Sequence, residues 1–524
     1  MKSNKTKGNI FQNVLSANVP QSQFDLSFEN KFTCDMGQLI PICCQEILPG
    51  DKFQCDANLF IRFQPLVAPI MHNIDVHVRW FFVPNRLVWN EFEDFITGGS
   101  SGLEQPPFPF KEYKVSPQVG TLEDFLGVPT ATTLGEFSMV DINVNMLPFR
   151  GYTLIWNEYF RDQTIDNEAD ILKFSGFDPT NYSLKKVRWE KDYFTSALPW
   201  TQRGEPVHLP VMTLKKELYP RDVVEDNIRI LDERGNPVHY SDGTPIYARR
   251  FNSDGDGVLS ADGYDHPIYF DFSAYDSYTV NQLREANAVQ RFLERQAVGG
   301  ARYAETLLNH FGVRTADSRL QRPEYLGGHR QAVTISEVLQ QSETTSLSPQ
   351  GNMAGRAIST GSFPSESTLF TEHGYLFGLM YVRPQTGYTN TFKRLLHQKK
   401  DKYDYAWPEF ANLGEQEVLQ KEVHVGAGTG ALSNDIFGYQ SRYAEYKFNN
   451  NEVHGNFKTD LAFWHLARLY EHGINPVLNS TFLECTPRKD VFAVVDPSSA
   501  SIMVESFNKI TAIRPLPAFG SPTL

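Results

Sequence analysis

The sequence lacks a long hydrophobic run and any recognisable cysteine spacing, and each absence excludes a class of protein. Among its 524 residues there is no window of about 18 uncharged apolar residues, so we predict no transmembrane helix and no membrane insertion. The first residues, MKSNKTKGNIFQNVLS, carry lysines without a following apolar segment, and we expect no secretory signal. The five cysteines include no CxxC pair. We therefore predict reduced thiols rather than a zinc site or a disulfide scaffold.

An excess of positive charge is also missing. The chain has 49 Lys and Arg against 62 Asp and Glu, a net charge of −13. An acidic chain does not bind nucleic acid along its whole surface, although a local basic patch remains compatible with this total. Hydrophobic residues make up 41% of the chain, enough to form a folded core and to exclude a wholly disordered protein.

Several sequence motifs of catalysis are absent. Gly-Lys never occurs, which excludes a P-loop, and HExxH and HxxEH are also missing. A glycine motif at 426–431 fits GxGxxA, but Asn434 and Asp435 interrupt the helix that a dinucleotide site requires, and we interpret it as a flexible loop. We predict no enzyme activity, while noting that a triad assembled only in the folded chain leaves no such motif.

Aromatic residues, proline and glycine are abundant and favour a mainly β fold. The chain has 38 Phe, 23 Tyr, 31 Pro and 36 Gly, a composition typical of strands joined by many turns. The clearest strand alternates with period two, which predicts one face in a core and a wetter opposite face. The residues predicted to form its core face are Ile74, Val76, Val78, Trp80 and Phe82.

Helical spacing occurs in a few short segments. Tyr152, Ile155, Trp156, Tyr159 and Phe160 are spaced to form one face of an amphipathic helix. Residues 460–470, DLAFWHLARLY, are apolar nearly all round and predict a second, well-buried helix.

Composition divides the chain into four regions. Residues 1–30 are polar, with Lys2, Lys5 and Lys7, and predict a basic amino-terminal arm that contacts nucleic acid or is simply solvated. Residues 31–202 and 277–524 carry most strand and helix signals. Residues 203–276 contain repeated Asp-Gly and Gly-Asn-Pro turns and predict a hairpin-rich insertion.

One segment of that insertion resembles a calcium-binding loop. Asn252, Asp254 and Asp256 place oxygen side chains at positions one, three and five, and Gly257 occupies position six. Gly263 stands where the bidentate glutamate should be. The alternative is a polar hairpin tip, because Asp-Gly is a common turn pair.

A second candidate site combines lysines with aromatic residues. Lys399, Lys400 and Lys402 lie beside Tyr403 and Tyr405. Cations suit phosphates and aromatic rings suit unstacked bases, so this cluster predicts contact with single-stranded nucleic acid. A solvated loop is the alternative.

Long blocks of the sequence resemble the major capsid proteins of the Microviridae, of the gokushovirus kind. These blocks are NVPQSQFDLSFENKFTCDMGQLIPICCQEILPGDKF at 18–53, LFIRFQPLVAPIMHNIDVHVRWFFVPNRLVWNEFEDFITGG at 59–99, RYAETLLNHFGVRTADSRLQRPEYLGG at 302–328 and IFGYQSRYAEYKFNNNEVHG at 436–455.

This resemblance implies a single eight-stranded viral jelly roll with long inserted loops. It implies a T=1 icosahedral capsid, built from pentamers and threefold contacts of this chain, around the circular single-stranded DNA of a bacteriophage. The implied partners are that DNA, a small basic DNA-packaging protein, a DNA pilot protein and a bacterial surface receptor. Assembly is expected in the host cytoplasm, and residues 203–276 are expected to form a threefold surface protrusion used in host attachment.

A different class of protein fits the composition as well. A soluble β-sandwich carbohydrate-binding module, lectin-like, would use exposed aromatic rings as sugar platforms. Particle size separates the two interpretations, because a capsid subunit forms pentamers or shells and a lectin stays small.

Overall fold

The structure is a computed structural model that describes most of the chain. The described residues are 19–130, 138–204, 227–229, 247–249, 280–299, 302–339, 353–426, 434–470, 474–494, 496 and 499–519. The chain divides into two compact units, one made of Met1–Thr201 with Arg295–Leu524 and one made of Gln202–Glu294.

The described residues contain more strands than helices, and the strands at 227–229 and 247–249 belong to the smaller unit. In chain order the strands are β1 (Ser22–Asp25), β2 (Phe28–Cys34), β3 (Ile40–Ile47), β4 (Lys52–Phe63), β5 (Ile74–Pro84), β6 (Phe110–Val115), β7 (Ser138–Asn145), β8 (Asn227–Arg229), β9 (Tyr247–Arg249), β10 (Glu324–Ala332), β11 (Thr334–Leu339), β12 (Met353–Pro364), β13 (Thr368–Leu369), β14 (Gly374–Pro384), β15 (Glu415–Leu419), β16 (Ile436–Ser441) and β17 (Ile502–Arg514). The helices are α1 (Phe92–Thr97), α2 (Leu122–Phe125), α3 (Leu147–Ile155), α4 (Val280–Gly299), α5 (Tyr303–Phe311), α6 (Arg394–His397), α7 (Gln420–Val423) and α8 (Ser480–Leu483).

Two antiparallel sheets form the centre of the larger unit. The first has seven strands in the order β1-β17-β4-β12-β11, with β2 also paired to β17 and β13 to β4. The second has four strands in the order β10-β5-β14-β3. Successive strands β3, β4 and β5 alternate between the two sheets, as do β12 and β14. This confirms the predicted mainly β fold with antiparallel sheets. The two sheets contain seven and four strands, and the count of eight strands for the jelly roll stays a prediction.

The side chains between the two sheets follow the period of a half-buried strand. In β4 the residues at 53, 55, 57, 59, 61 and 63 are buried and most of those between them are exposed or half-buried. β17 shows the same alternation over its length. Because successive side chains of a strand point to opposite faces, β4 and β17 each present one apolar face to the four-stranded sheet.

β5 differs because it is buried on both faces. Its five predicted core residues (Ile74, Val76, Val78, Trp80 and Phe82) all lie in the cluster between the sheets. The polar residues on the opposite face predicted that this face would be exposed to solvent. That prediction is wrong, since Phe81 and Val83 on this face belong to a second buried cluster. His77 on this face is also buried, and its ring stacks on Tyr381 at 4.6 Å between centroids.

The second cluster is completed by α3 and the π-helical turn Trp156–Phe160 that continues it. Tyr152 and Ile155 are fully buried against the four-stranded sheet, so the helix predicted from their spacing is confirmed. Gly151 lies so close to the sheet that a Cβ atom there would be 3.0 Å from the Phe377 ring. The larger unit is therefore layered as sheet, sheet and helix.

The predicted helix at 460–470 is wrong. Only Ala462–Trp464 forms a short 3-10 turn, and Leu461 and Leu469 are partly exposed. After this turn the chain extends, and the Arg468 N–H donates to the Gly387 carbonyl at 2.8 Å. Pairing with the neighbouring segment satisfies the backbone that a helix would otherwise satisfy internally.

Trp80 provides the most direct test of this core. Its indole is fully buried, its Nε1–H donates to the Phe363 carbonyl at 3.2 Å, and it faces Gly378, where a Cβ would approach the ring to 2.7 Å. Trp80→Ala leaves a cavity that neighbouring strands cannot fill, so we expect a loss of about 3–5 kcal/mol in the free energy of unfolding. Chemical denaturation of the unassembled chain measures it.

The matched control is Phe60→Ala on the exposed face of β4, which we expect to cost about 0.5 kcal/mol. Equal costs for the two substitutions would contradict the assignment of Trp80 to the core between the sheets.

Candidate nucleic-acid interface

The predicted lysine and tyrosine cluster lies on an exposed surface after β14. It begins at α6, passes through the 3-10 turn Lys402–Asp404, and ends at a second 3-10 turn, Pro408–Phe410. A distant segment, Ala444–Tyr446, joins it. We call this surface the basic-aromatic patch. Its residues are Lys399, Lys400, Lys402, Tyr403, Tyr405, Trp407 and Tyr446.

Two aspartates hold the loop of the patch in shape. The Asp401 carboxylate caps the first 3-10 turn by accepting from the N–H groups of Tyr403 and Asp404, at 2.6 and 3.2 Å. The Asp404 carboxylate accepts from the N–H groups of Lys400 and Asp401, at 2.7 and 2.9 Å. Backbone hydrogen bonds from Asp401 and Lys400 lower the pKa of Asp404. The carboxylates therefore order the backbone that presents the lysines.

Lys399 differs from its two neighbours. Its ammonium donates to the Tyr446 hydroxyl at 3.1 Å and to the Asp404 carbonyl. It also lies 5.0 Å from the Tyr446 ring centroid and 5.5 Å from that of Tyr405. Lys399 thus joins two segments that are far apart in sequence, and its role in the patch is to position the rings.

Lys400 and Lys402 are the exposed cations of the patch. The Lys402 ammonium lies 4.8 Å from the Tyr403 ring centroid, which keeps a positive charge beside an exposed ring. Exposed ammonium groups beside an aromatic ring suit the phosphates of a nucleic-acid strand.

The aromatic rings are open to solvent and held by polar contacts. Tyr403, Tyr405 and Tyr446 are each more than half exposed, and Trp407 is 45% exposed. The Trp407 Nε1–H donates to the Lys402 carbonyl at 2.7 Å, which fixes the indole orientation. Large aromatic rings that are exposed on an ordered loop provide flat surfaces on which unstacked bases can stack.

A cavity of about 440 Å³ adjoins the patch at Lys399 and Tyr446. Its other cations are already paired, because Arg394 lies 3.2 Å from Glu422 and Lys393 lies 2.8 Å from Glu452. The cavity therefore adds little positive charge to the patch.

His397 lies beneath the patch and contributes no charge to it at neutral pH. Its side chain is nearly fully buried, and it packs against the Phe392 ring at 5.0 Å between centroids. Burial, followed by the nearby cations of Lys421, Arg394 and Lys400, lowers the pKa of His397 to about 4. The positive charge of the surface therefore comes from its lysines.

Several predicted site residues lie outside the described residues. These are Lys2, Lys5 and Lys7 of the arm, Asp254 and Asp256 of the calcium-like loop, and residues 427–431 of the glycine motif. Within the described part of the chain, no group of three or more His, Cys, Asp or Glu side chains is arranged to bind a metal ion. Over the same residues, no helix has the length and apolar character needed to cross a bilayer.

Sequence reasoning missed two members of the patch. Trp407 lies two residues beyond Tyr405, and extending the aromatic pattern would have found it. Tyr446 is 47 residues from Lys399 and carries no local signal, since only the fold brings its ring to the lysine.

Comparison with known proteins gives matches over nearly the whole chain. The sequence profile of the capsid protein (F protein) family matches residues 12–524. Capsid protein VP1 of Chlamydia phage 1 is 34% identical, with 98% of each chain covered. Capsid protein VP1 of Bdellovibrio phage phiMH2K is 35% identical over 98% of this chain and 97% of the relative. Capsid protein VP1 of Spiroplasma virus 4 is 29% identical over 97% and 96%.

Proposed function

Because the chain belongs to the capsid protein (F protein) family, we propose that its copies close into a T=1 icosahedral shell around a circular single-stranded DNA genome. The family and the relatives identify a major capsid protein of the Microviridae, located in the virion. The predicted family and the predicted structural, non-enzymatic role are confirmed. The lectin-like alternative is set aside, because the match spans nearly the whole chain and leaves no separate binding module.

The observation that carries the assembly proposal is an aromatic surface on the larger unit. Phe108, Phe174 and Phe177 are all exposed, and Phe177 is 56% exposed. The rings of Phe108 and Phe177 lie 5.7 and 6.2 Å from that of Phe110, between centroids. We call this surface the aromatic edge. A cluster of exposed phenylalanines is typical of a surface that another chain covers.

A second copy of this chain is the partner that fits the aromatic edge, because a shell subunit must bury surface against identical neighbours. The backbone supports the edge rigidly. The Phe110 N–H donates to the Gly176 carbonyl at 3.0 Å, and the Asp178 N–H donates to the Phe110 carbonyl at 2.7 Å. The edge is therefore preformed, which reduces the entropy lost on association.

The double substitution Phe174→Ser with Phe177→Ser tests this proposal. Burial of each phenylalanine contributes roughly 1.5–3 kcal/mol, so we expect the protein concentration needed for assembly to rise at least about tenfold. Light scattering and sedimentation measure assembly, and circular dichroism checks that the subunit stays folded. Phe177→Leu retains an apolar side chain and is the matched control. Normal assembly of the double variant would contradict a role for the edge.

We further propose that the basic-aromatic patch contacts the packaged single strand. Its two exposed lysines suit phosphates, and its ordered rings suit bases. The amino-terminal arm, with Lys2, Lys5 and Lys7, is expected on the inside of the shell for the same electrostatic reason. An acidic chain leaves most DNA neutralisation to a small basic packaging protein, and a DNA pilot protein is a further expected partner.

Substitutions in the patch separate stacking from charge. Trp407→Ala and Tyr403→Ala are each expected to weaken binding of the unassembled chain to an oligothymidylate by about 1–3 kcal/mol. Lys400→Gln with Lys402→Gln should reduce the dependence of log affinity on log salt by about 1.4, because two phosphate contacts are lost. Fluorescence anisotropy at several salt concentrations measures both effects.

Lys52→Gln, exposed on the seven-stranded sheet, is the matched control and should leave affinity unchanged. Equal salt dependence for the double lysine variant and the unmodified chain would contradict the proposed contact.

The insertion at 203–276 is proposed to form the outward threefold protrusion used in host attachment. Most of it lies outside the described residues, and the proposal depends on its hairpin-rich sequence and on the placement of variable loops on rigid scaffolds. A bacterial surface receptor is the expected partner.

Replacing residues 210–270 by a short Gly-Ser linker should leave shell formation intact and reduce host adsorption at least about tenfold, because the exposed binding loops are removed. Electron microscopy of the particles and counting of unadsorbed phage measure the two outcomes. Normal adsorption by assembled variant particles would contradict the proposal.

A further inference from the structure

A second cavity, of about 610 Å³, lies on the helical side of the four-stranded sheet. It is lined by β5 and β14, by the chain that follows the π-helical turn at 156–160, and by residues 187–191, 297–299, 302 and 305. This is a common volume for a small-molecule site, and it is separate from the basic-aromatic patch.

The cavity is lined by twice as many cations as carboxylates. The cations are Arg79, Arg161, Arg188, Lys191, Arg302 and Arg383, and the carboxylates are Asp162, Glu190 and Glu305. Burying a charged side chain is costly unless it is paired, so six cations around one cavity need compensating negative charges.

Each lining carboxylate is already paired. Lys191 pairs with Asp162. Arg302 lies 3.1 Å from Glu305, and Arg383 lies 3.4 Å from Glu190. The cavity's own carboxylates therefore neutralise three of its six cations.

A fourth cation is neutralised from outside the lining, since Arg188 lies 2.7 Å from the buried carboxylate of Asp166. Arg79 and Arg161 remain, and within the described residues neither has a carboxylate at ion-pair distance. Arg161 donates to the Asp166 carbonyl at 3.1 Å, which holds its guanidinium in place without cancelling its charge. Arg302 and Arg188 each have a second carboxylate nearby, since Glu158 lies 3.8 Å from Arg302 and Glu484 lies 3.6 Å from Arg188. Arg79 and Arg161 are therefore the two lining cations that no ion pair occupies within the described residues.

The cations of the cavity wall also act on a neighbouring side chain. His77 is stacked on Tyr381, and its pKa is lowered to about 3 by burial and then by the cations of Arg383, Arg79 and Arg330. Arg79 and Arg383 lie 5.9 and 5.8 Å from the centroid of the Tyr381 ring. Two guanidinium groups thus flank one aromatic ring at the cavity wall.

Four of the uncharged residues that line the cavity are aromatic. Tyr159, Phe160, Trp189 and Tyr381 line the cavity beside these cations. Guanidinium groups bind phosphate oxygens with well-defined geometry, and flat aromatic walls accept a planar ring. The combination is that of a site for a phosphorylated, ring-bearing ligand.

We propose that this cavity binds a nucleotide, with its phosphate at Arg79 and Arg161 and its base against the aromatic wall. A free nucleotide and one unit of a single strand share this chemistry. Nucleotide binding at this site and assembly of the shell are separate functions, and neither depends on the other. Assembly into particles can be measured without any nucleotide present.

The test is binding of deoxyadenosine monophosphate to the purified, unassembled full chain by isothermal titration calorimetry. We expect one site per chain, with affinity at least tenfold above that for inorganic phosphate and for deoxyadenosine. Arg79→Gln and Arg161→Gln should each weaken nucleotide binding at least tenfold. Arg356→Gln, exposed on the seven-stranded sheet, is the matched control and should leave affinity unchanged.

A short oligothymidylate, added to a chain that also carries Trp407→Ala and Lys400→Gln, distinguishes the two sources. If this chain binds the oligothymidylate and Arg79→Gln weakens that binding, the ligand of the cavity is the single strand. If the cavity binds only the mononucleotide, its ligand is a free nucleotide. Thermal unfolding checks that each variant is folded. If inorganic phosphate binds as tightly as the nucleotide, or if both folded arginine variants bind it normally, the proposal is wrong.

Discussion

Burial of the four-stranded sheet on both faces is the constraint on which the rest of the structure depends. Val78, Trp80 and Phe82 pack against the seven-stranded sheet, while Phe81 and Val83 on the opposite face pack under α3. A sheet covered on both sides cannot shift its register by one residue without placing each side chain in the wrong layer. The long connections of this chain therefore leave from, and return to, strands whose positions are fixed.

That rigidity explains where the candidate interaction surfaces lie. The arginine cavity takes Arg79 from β5 and Arg383 from β14, so two of its cations are held by the central strands. The basic-aromatic patch lies on the loop that follows β14, and Lys399 ties it to Tyr446. The aromatic edge is similarly held by backbone pairing between 107–110 and 176–178. Each surface is an irregular segment supported by regular structure, which is the usual way in which loops acquire function.

The sequence predicted the parts of the fold that depend on local periodicity. Alternation at 74–82 marked β5, and the spacing from Tyr152 to Phe160 marked the helix, because in both segments the apolar residues recur with the period of that element. The burial of the polar-looking face of β5 could not be predicted, since the covering residues are distant in sequence. The helix expected at 460–470 failed because pairing with 387–388 satisfies that backbone instead. For the patch, the lysines and two tyrosines were visible locally, whereas Tyr446 joined only through the fold.

We propose that this chain closes a T=1 shell by burying surfaces carried on the loops of a rigid two-sheet core. Electron cryomicroscopy of purified particles tests it most directly. We expect T=1 symmetry, the aromatic edge with Phe174 and Phe177 buried against a neighbouring copy, and the basic-aromatic patch facing the interior. Particles of another symmetry, or T=1 particles in which the aromatic edge faces solvent, would contradict it.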